Sequence, residues 1–205
     1  MLIAHLVPGH FAAAWSQGYW NPQWTHRQRL GLWIAAYGST VAPDLDVIYN
    51  CVFRGFFGHT TLWTHSLFPY LGLVLAWWVT GGSDRWRYAH TMIGLVAVGG
   101  LSHLALDVVS HSTPLFYPLS MYMVGAPSTR VLEGKLLGYL TDPILLLEPA
   151  LITLAAAHRM LHQREASRAL KTMGVFSLVG VLAAISAAYL SLLPTLREMA
   201  GTEAF

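Results

Sequence analysis

The chain has 205 residues, of which 55% are hydrophobic and 11% charged, and its mean hydropathy is +0.48. Soluble domains carry about 25% charged residues, so the composition excludes an ordinary soluble domain and indicates a membrane protein. The net charge of +2 and the lack of a basic arm argue against nucleic acid as a partner, and the single cysteine, Cys51, excludes an intrachain disulfide.

Five apolar segments follow one another along the chain, each near the ~20 residues that a helix needs to cross a bilayer. They are residues 31–50, 66–82, 90–110, 137–157 and 172–194. The N-terminal segment is shorter, is interrupted by Pro8 and Gly9, and lacks the basic n-region of a signal peptide. We expect it to be a sixth spanning helix or a half-inserted one. The sequence therefore predicts an all-α polytopic membrane helical bundle of 5–6 transmembrane helices, forming a single domain over residues 1–205.

The basic residues predict the orientation of this bundle. If the segments alternate in direction, eight of the twelve Lys and Arg residues fall on one side, many of them in the loop 158–171. The positive-inside rule makes that side cytoplasmic. We therefore expect an inner-membrane, multi-pass protein with the loops 51–65 and 111–136 on the non-cytoplasmic side.

Histidine and aspartate recur at the outer ends of the early segments. His5 stands near the start of the chain, and Asp44 and Asp46 lie in "VAPDLDV", near the outer end of the second segment. His59 and His65 occur in "GHTTLWTHSL", which leads into the third segment. Asp44 and Asp46 are both candidate ligands and candidate general bases, and the spacing alone does not choose between them. Pro43 predicts a local break that would let both side chains turn inward.

The fourth segment carries a ladder of ionisable residues in "LSHLALDVVSH". His103, Asp107 and His111 are each four residues from the next, which places them on one face of a helix. Charges at membrane depth are costly and face the protein interior or a cavity. Imidazole and carboxylate are ligands for zinc and related divalent metals, so we expect a metal centre of one to three ions, most simply Zn2+.

The remaining polar residues are less specific. Glu148 lies in the middle of the fifth segment, before Pro149, and three roles are open to it: a supporting carboxylate behind a ligand, a ligand, or a structural residue at a kink. His10 is interpreted as structural. Four further histidines are interpreted as solvated residues of the cytoplasmic side: His26, His90, His158 and His162.

The motifs "APDLD", "THSL" and "LSHLALDVVSHSTPLFYP", taken in this order, resemble those of the LexA-regulated, inner-membrane family of metal-dependent hydrolases. The resemblance covers roughly residues 1–120 and, weakly, the helix with Glu148. The family is in turn similar to the zinc-dependent phospholipase C and single-strand nuclease superfamily, whose members hydrolyse phosphodiesters with a three-zinc cluster.

The resemblance implies a role for individual residues. The N-terminal histidine of the family would correspond to His5, and its acidic pair to Asp44 and Asp46. The histidine of its "THS" motif would correspond to His65. Its "SHxxxD" pair would correspond to His103 and Asp107, and His111 would be a further ligand. The family has "HR" before "THS", whereas Thr60 follows His59 here, so His59 is at most a supporting residue.

Residues and resemblance together predict a membrane-embedded hydrolase of a phosphate ester, with a membrane lipid as substrate, acting at the outer face. The alternative is a divalent-cation transporter or metal-binding membrane protein without hydrolase activity, since intramembrane His and Asp also line ion pathways. A pathway needs polar residues that continue toward the cytoplasm, and the inner halves of the segments are almost purely apolar apart from Glu148.

Overall fold

The computed structural model describes residues 4–55, 63–81, 83–125, 143–162 and 167–202. Within these ranges the chain is helical and contains no strand. A single-residue antiparallel β-bridge pairs Thr113 with Val124. The all-α prediction is therefore confirmed for this part of the chain. The helices are α1 (Leu6–Ser16), α2 (His26–Val41), α3 (Leu45–Tyr49), α4 (Phe68–Thr80), α5 (Arg87–Ser110), α6 (Leu147–Leu161) and α7 (Arg168–Thr202).

Two of the described stretches are long and apolar enough to cross a membrane. They are Asp84–Ser110, which contains α5, and Lys171–Leu196, which lies within α7. Helix α4 is apolar but shorter. These stretches correspond to the predicted segments 90–110, 172–194 and 66–82.

The predicted segment 31–50 is not one helix. Helix α2 ends at Val41, a 3-10 turn follows over Ala42–Asp44, and α3 continues into a π-helical turn over Asn50–Arg54. Pro43 lies in the 3-10 turn, where its missing N–H and its ring prevent α2 from continuing. The break predicted at Pro43 is confirmed.

The predicted segment 137–157 also differs from the structure. Residues 137–142 lie outside the described residues, and α6 begins at Leu147, so Glu148 and Pro149 occupy its first turn rather than its middle. Proline is tolerated in the first turn because the N–H groups there have no intrahelical partner. A 3-10 turn over Pro143–Leu146 leads directly into α6, so Pro149 lies just after the change from 3-10 to α-helix, and the carboxylate of Glu148 lies in the first turn of α6, near the positive end of the helix dipole.

Helix α5 lies at the centre of the bundle and packs against α1, α2 and α4, while α6 packs against α1 and α7. Close approach between helices depends on glycine. A Cβ atom on Gly9 of α1 would lie 2.5 Å from the carbonyl oxygen of Ala36 in α2, and one on Gly100 of α5 would overlap the Tyr70 ring of α4. Backbones can meet this closely only where no side chain intervenes, and such small-residue contacts are typical of membrane helices.

Gly9→Ala should destabilise the protein, because the added methyl group meets backbone atoms of α2 that cannot rotate away. We expect a loss of about 1–3 kcal/mol, the usual range for overpacking. Gly38→Ala is the matched control: its Cβ would meet nothing within 4 Å, and alanine favours a helix over glycine by about 0.5–1 kcal/mol. Thermal unfolding in detergent measures both, and equal stability of the two variants would contradict the packing argument.

Candidate metal centre

The end of the bundle at the C-terminus of α5 gathers every residue that the sequence predicted as a ligand. His103 and Asp107 come from the last turns of α5, and His111 follows its C-terminus. His5 precedes α1, Asp44 ends the 3-10 turn after α2, and His65 ends the 3-10 turn Trp63–His65. Each of these side chains, and that of Asp46, lies within 4 Å of another member of the set.

Four ligand atoms from three parts of the chain form a first ligand group. His103 Nε2 lies 3.4 Å from Asp44 Oδ1, 3.2 Å from Asp107 Oδ2 and 3.4 Å from His65 Nε2. His65 Nε2 lies 3.6 Å from Asp107 Oδ2 and 3.8 Å from Asp44 Oδ1. Ligands on a tetrahedral ion with bonds of about 2.0–2.2 Å stand about 3.3–3.6 Å apart. The spacing of the first ligand group therefore fits a tetrahedral ion.

A second ligand group shares the Asp107 carboxylate with the first. His5 Nε2 and His111 Nε2 lie 3.3 and 3.1 Å from Asp107 Oδ1, the oxygen that does not face the first ligand group. The remaining oxygen of Asp44, Oδ2, lies 3.6 Å from His5 Nδ1. Asp107 thus presents one oxygen to each group, as a carboxylate that bridges two ions would.

Unpartnered polar atoms support a cation at this place. Both ring nitrogens of His5 and both carboxylate oxygens of Asp107 are buried without a hydrogen bond in the described part of the chain. A buried polar group left without a hydrogen bond costs about 1–3 kcal/mol, and more when it is charged. A divalent ion would satisfy these lone pairs, so the donor set and its geometry fit such a metal.

Backbone carbonyls orient two of the ligand rings. The Nδ1 of His103 lies 2.8 Å from the carbonyl oxygen of Thr40 and donates to it, while the Nδ1 of His111 lies 3.2 Å from that of Ser112. With Nδ1 as the donor, Nε2 keeps its lone pair for a metal, which is the usual arrangement behind a ligand histidine. The sequence could not reveal Thr40 as a partner, because only its backbone takes part.

The structure separates the two aspartates that the sequence left equivalent. Asp44 faces the Nε2 atoms of His65 and His103, whereas Asp46 lies behind His65, with Oδ2 3.3 Å from its Nδ1. Asp44 has 25% of its side chain exposed and Asp46 none. The position of Asp44 therefore fits a ligand of an ion, and that of Asp46 fits a carboxylate that orients a ligand histidine.

The raised pKa of His65 shows how strongly these two carboxylates stabilise positive charge on its ring. Burial lowers the pKa of His65, but the carboxylates of Asp44 and Asp46 outweigh that effect and raise it to about 9. Protons and metal ions compete for the same nitrogen lone pair, and the same negative field attracts both. The carboxylates therefore give this end of the bundle a negative potential that attracts cations.

Two further candidates from the sequence are His59 and Glu148. His59 lies outside the described residues. Glu148 is buried in the first turn of α6 and belongs to neither cluster of three that could hold an ion among the described residues. Those clusters are His5–His103–Asp107 and Asp44–His65–His103.

The structure also corrects the interpretation of two histidines as solvated. His158 is half-buried, with Nδ1 3.3 Å from Nε2 of His10, and His90 is half-buried against Trp77, 2.8 Å from its carbonyl oxygen. His26 and His162 are exposed, as predicted. No local pattern signals the contact between His10 and His158, which are 148 residues apart.

Asp44→Asn and Asp46→Asn should have different effects on metal binding. Asp44→Asn removes a ligand charge, so we expect the purified protein to lose an ion. Asp46→Asn should keep the ions at saturation but weaken their binding by about 10–100-fold, the usual effect of losing a supporting carboxylate. Metal analysis at buffered free Zn2+ gives both quantities, and an opposite result would reverse the two assignments.

Comparison with known proteins supports the membrane assignment. No curated protein and no solved structure matches the chain. A family model described as "YdjM inner membrane protein" matches residues 1–193, which is nearly the whole length. The chain therefore belongs to the YdjM inner membrane protein family.

Proposed function

We propose that this protein is a metal-dependent hydrolase that cleaves a phosphate ester of a membrane lipid at the non-cytoplasmic face. The observation that carries the proposal is the pair of ligand groups that share the Asp107 carboxylate. Two divalent ions about 3.5–4 Å apart are a common apparatus for hydrolysing phosphate esters. The motif resemblance to LexA-regulated hydrolases, and through them to zinc-dependent phospholipases C, favours the same chemistry.

Asp107 is the residue on which a two-ion centre would depend. Its Oδ2 faces His65 and His103, and its Oδ1 faces His5 and His111. Zinc suits this mixture of imidazole and carboxylate. When bound, divalent ions supply Lewis acidity and a water activated for attack near neutral pH.

Asp44 marks the side from which a substrate would approach. It is the partly exposed ligand, with 25% of its side chain accessible, whereas the side chains of His5, His65 and Asp107 are at most 1% exposed. Asp46 is fully buried behind His65, so its expected task is to hold that ring rather than to exchange a proton with the substrate. An anionic phosphate placed beside Asp44 would meet the ions that the carboxylates hold.

The surface next to Asp44 favours a lipid as the source of that phosphate. Leu45, Ile48 and Phe53 follow it directly and are 56%, 59% and 73% exposed. Leu119 and Tyr122, which follow α5 at the same end of the bundle, are 80% and 72% exposed. Apolar surface of this extent beside a polar site is typical of a membrane or ligand contact. Acyl chains would lie against it while the headgroup reaches the centre.

We further propose that the shorter helices also lie in the bilayer, giving the 5–6 crossings expected from the sequence. Ile34 of α2 is 62% exposed, and Leu75 and Trp78 of α4 are 60% and 74% exposed. Large apolar side chains exposed on several helices of one bundle suit lipid rather than water as their surroundings. The distribution of Lys and Arg then places the metal centre on the non-cytoplasmic side.

A divalent-cation transporter is the second candidate, and one observation favours it. His10, five residues further along α1 than His5, faces His158 of α6. The bundle thus contains a second pair of polar side chains, and polar side chains within a membrane bundle are typical of ion pathways. Measurement of Zn2+ movement in proteoliposomes separates this function from lipid hydrolysis.

Asp107→Asn should lower the rate of hydrolysis far more than it lowers the stability of the fold, because it removes a shared charge but keeps the shape against which the four histidines pack. We expect a loss of more than about 100-fold in rate, similar to the loss of an electrostatic group in other active sites. The assay offers phospholipids and isoprenoid phosphates in liposomes to the Zn2+-loaded protein. Asp84→Asn is the control, since Asp84 is an exposed aspartate at the opposite end of α5. Failure of the metal-loaded wild type to cleave any of these lipids would refute the hydrolase proposal.

The proposed orientation is testable by cysteine labelling, because Cys51 is the only native cysteine. In a Cys51→Ser background, Tyr122→Cys should react with a membrane-impermeant maleimide from the periplasmic side. His162→Cys, also at an exposed residue, should react only after the membrane is opened. The reverse pattern would place the metal centre on the cytoplasmic side.

A further inference from the structure

A second group of histidines lies apart from the metal centre, where α1, α2 and α6 meet. His10 Nε2 of α1 is 3.3 Å from His158 Nδ1 of α6, and both rings are half-buried. The two rings are close to perpendicular, with an interplanar angle of 82°. Their nitrogens, rather than their faces, are directed at each other.

The distance between these nitrogens suits two ligands of one ion. Ligand nitrogens on a tetrahedral metal with bonds of about 2.0–2.1 Å stand about 3.3–3.4 Å apart. The nitrogens of His65 and His103 in the metal centre have a closely similar separation of 3.4 Å. A direct N–H···N hydrogen bond also fits 3.3 Å, so the number of bound ions decides between the two.

The other nitrogen of His10 is held by a third helix. Its Nδ1 lies 3.0 Å from the hydroxyl oxygen of Tyr37 in α2. If Nδ1 carries the proton and donates to Tyr37, Nε2 presents its lone pair toward His158. This is the same arrangement that the carbonyl of Thr40 creates for His103 in the metal centre.

From this geometry we propose that His10 Nε2 and His158 Nδ1 bind a second, separate divalent transition-metal ion, with water filling its other positions. Zn2+, Cu2+ and Ni2+ all accept imidazole ligands. The site supplies two protein nitrogens and no carboxylate among the described residues that contact the pair. Arg159 acts on His10 electrostatically, although its own side chain is exposed. We therefore expect weaker binding here than at the centre around Asp107.

The position of the pair suggests what such an ion would do. His10 is five residues beyond His5 on α1, a rise of about 7–8 Å along a helix. Five residues turn a helix by about 500°, so His10 faces a different side of α1 from His5, toward α2 and α6. An ion there would join α1 to α6, because its two ligands come from those helices.

Metal stoichiometry tests the proposal. The full-length protein in detergent is equilibrated with buffered free Zn2+ over a range of concentrations, and bound metal is measured per chain. His10→Ala and His158→Ala should each lose one weakly bound ion and keep the tightly bound ones. His162→Ala is the matched control, because His162 is exposed, lies four residues from His158, and has its Nδ1 bonded to a backbone carbonyl. It should bind as many ions as the wild type.

Two further variants keep the result interpretable if an alanine variant folds poorly. Tyr37→Phe preserves the ring and removes only the hydroxyl that orients His10, so the weak ion should bind about 10–100-fold less tightly. With the centre around Asp107 first filled with Zn2+, added Cu2+ should give the electron paramagnetic resonance signature of imidazole nitrogens in the wild type, and His10→Gln, which keeps a polar side chain of similar length, should remove it.

Unchanged stoichiometry and affinity in His10→Ala, His158→Ala and Tyr37→Phe would overturn the second site and leave the pair as a hydrogen bond between α1 and α6. That result is independent of the hydrolase proposal, which depends on Asp107 and on lipid turnover. A protein that keeps the weak ion but cleaves no lipid would refute the hydrolase and retain the second site.

Discussion

The interaction on which the structure depends is the burial of the Asp107 carboxylate among histidines. Its side chain has no exposed surface, and it lies within 3.1–3.6 Å of nitrogens of four histidines: His5, His65, His103 and His111. An ionised carboxylate buried alone would be very unfavourable, so its surroundings must supply positive charge or a metal. The elements that carry those histidines are therefore drawn to one place. The N-terminus, the turn before α4 and the end of α5 meet there for an electrostatic reason.

Close packing of helices makes that meeting possible. Gly9 lets α1 approach the backbone of α2, and Gly100 lets the Tyr70 ring of α4 lie against α5. The Tyr70 hydroxyl in turn donates to the carbonyl of Thr64, beside His65. The break at Pro43 has a corresponding effect on Asp44 and Asp46. On a regular helix two residues at this spacing would point to nearly opposite faces, whereas here one joins the ligands and the other lies behind His65.

Because the chain belongs to an inner-membrane family, its cluster of His and Asp side chains has to be shielded from lipid. A metal site within a bundle must exclude the bilayer from its ligands, and here only Asp44 among the closest ligands has appreciable exposure. Exposed apolar side chains lie beside Asp44 on the side where it is accessible. The pair His10 and His158 adds a second polar contact to the bundle, between α1 and α6.

The sequence by itself determined the membrane class of the protein, most of the helices and the His and Asp residues that cluster at one end of the bundle. Composition, apolar length and the four-residue spacing of His103, Asp107 and His111 are local properties, and helix geometry converts them directly into one face of α5. Only the tertiary structure decided which aspartate faces the ligands, that Glu148 begins α6, and that His158 contacts His10. These facts depend on contacts between residues far apart in the chain. Such contacts are set by how helices pack and where a backbone breaks, and no local pattern encodes them.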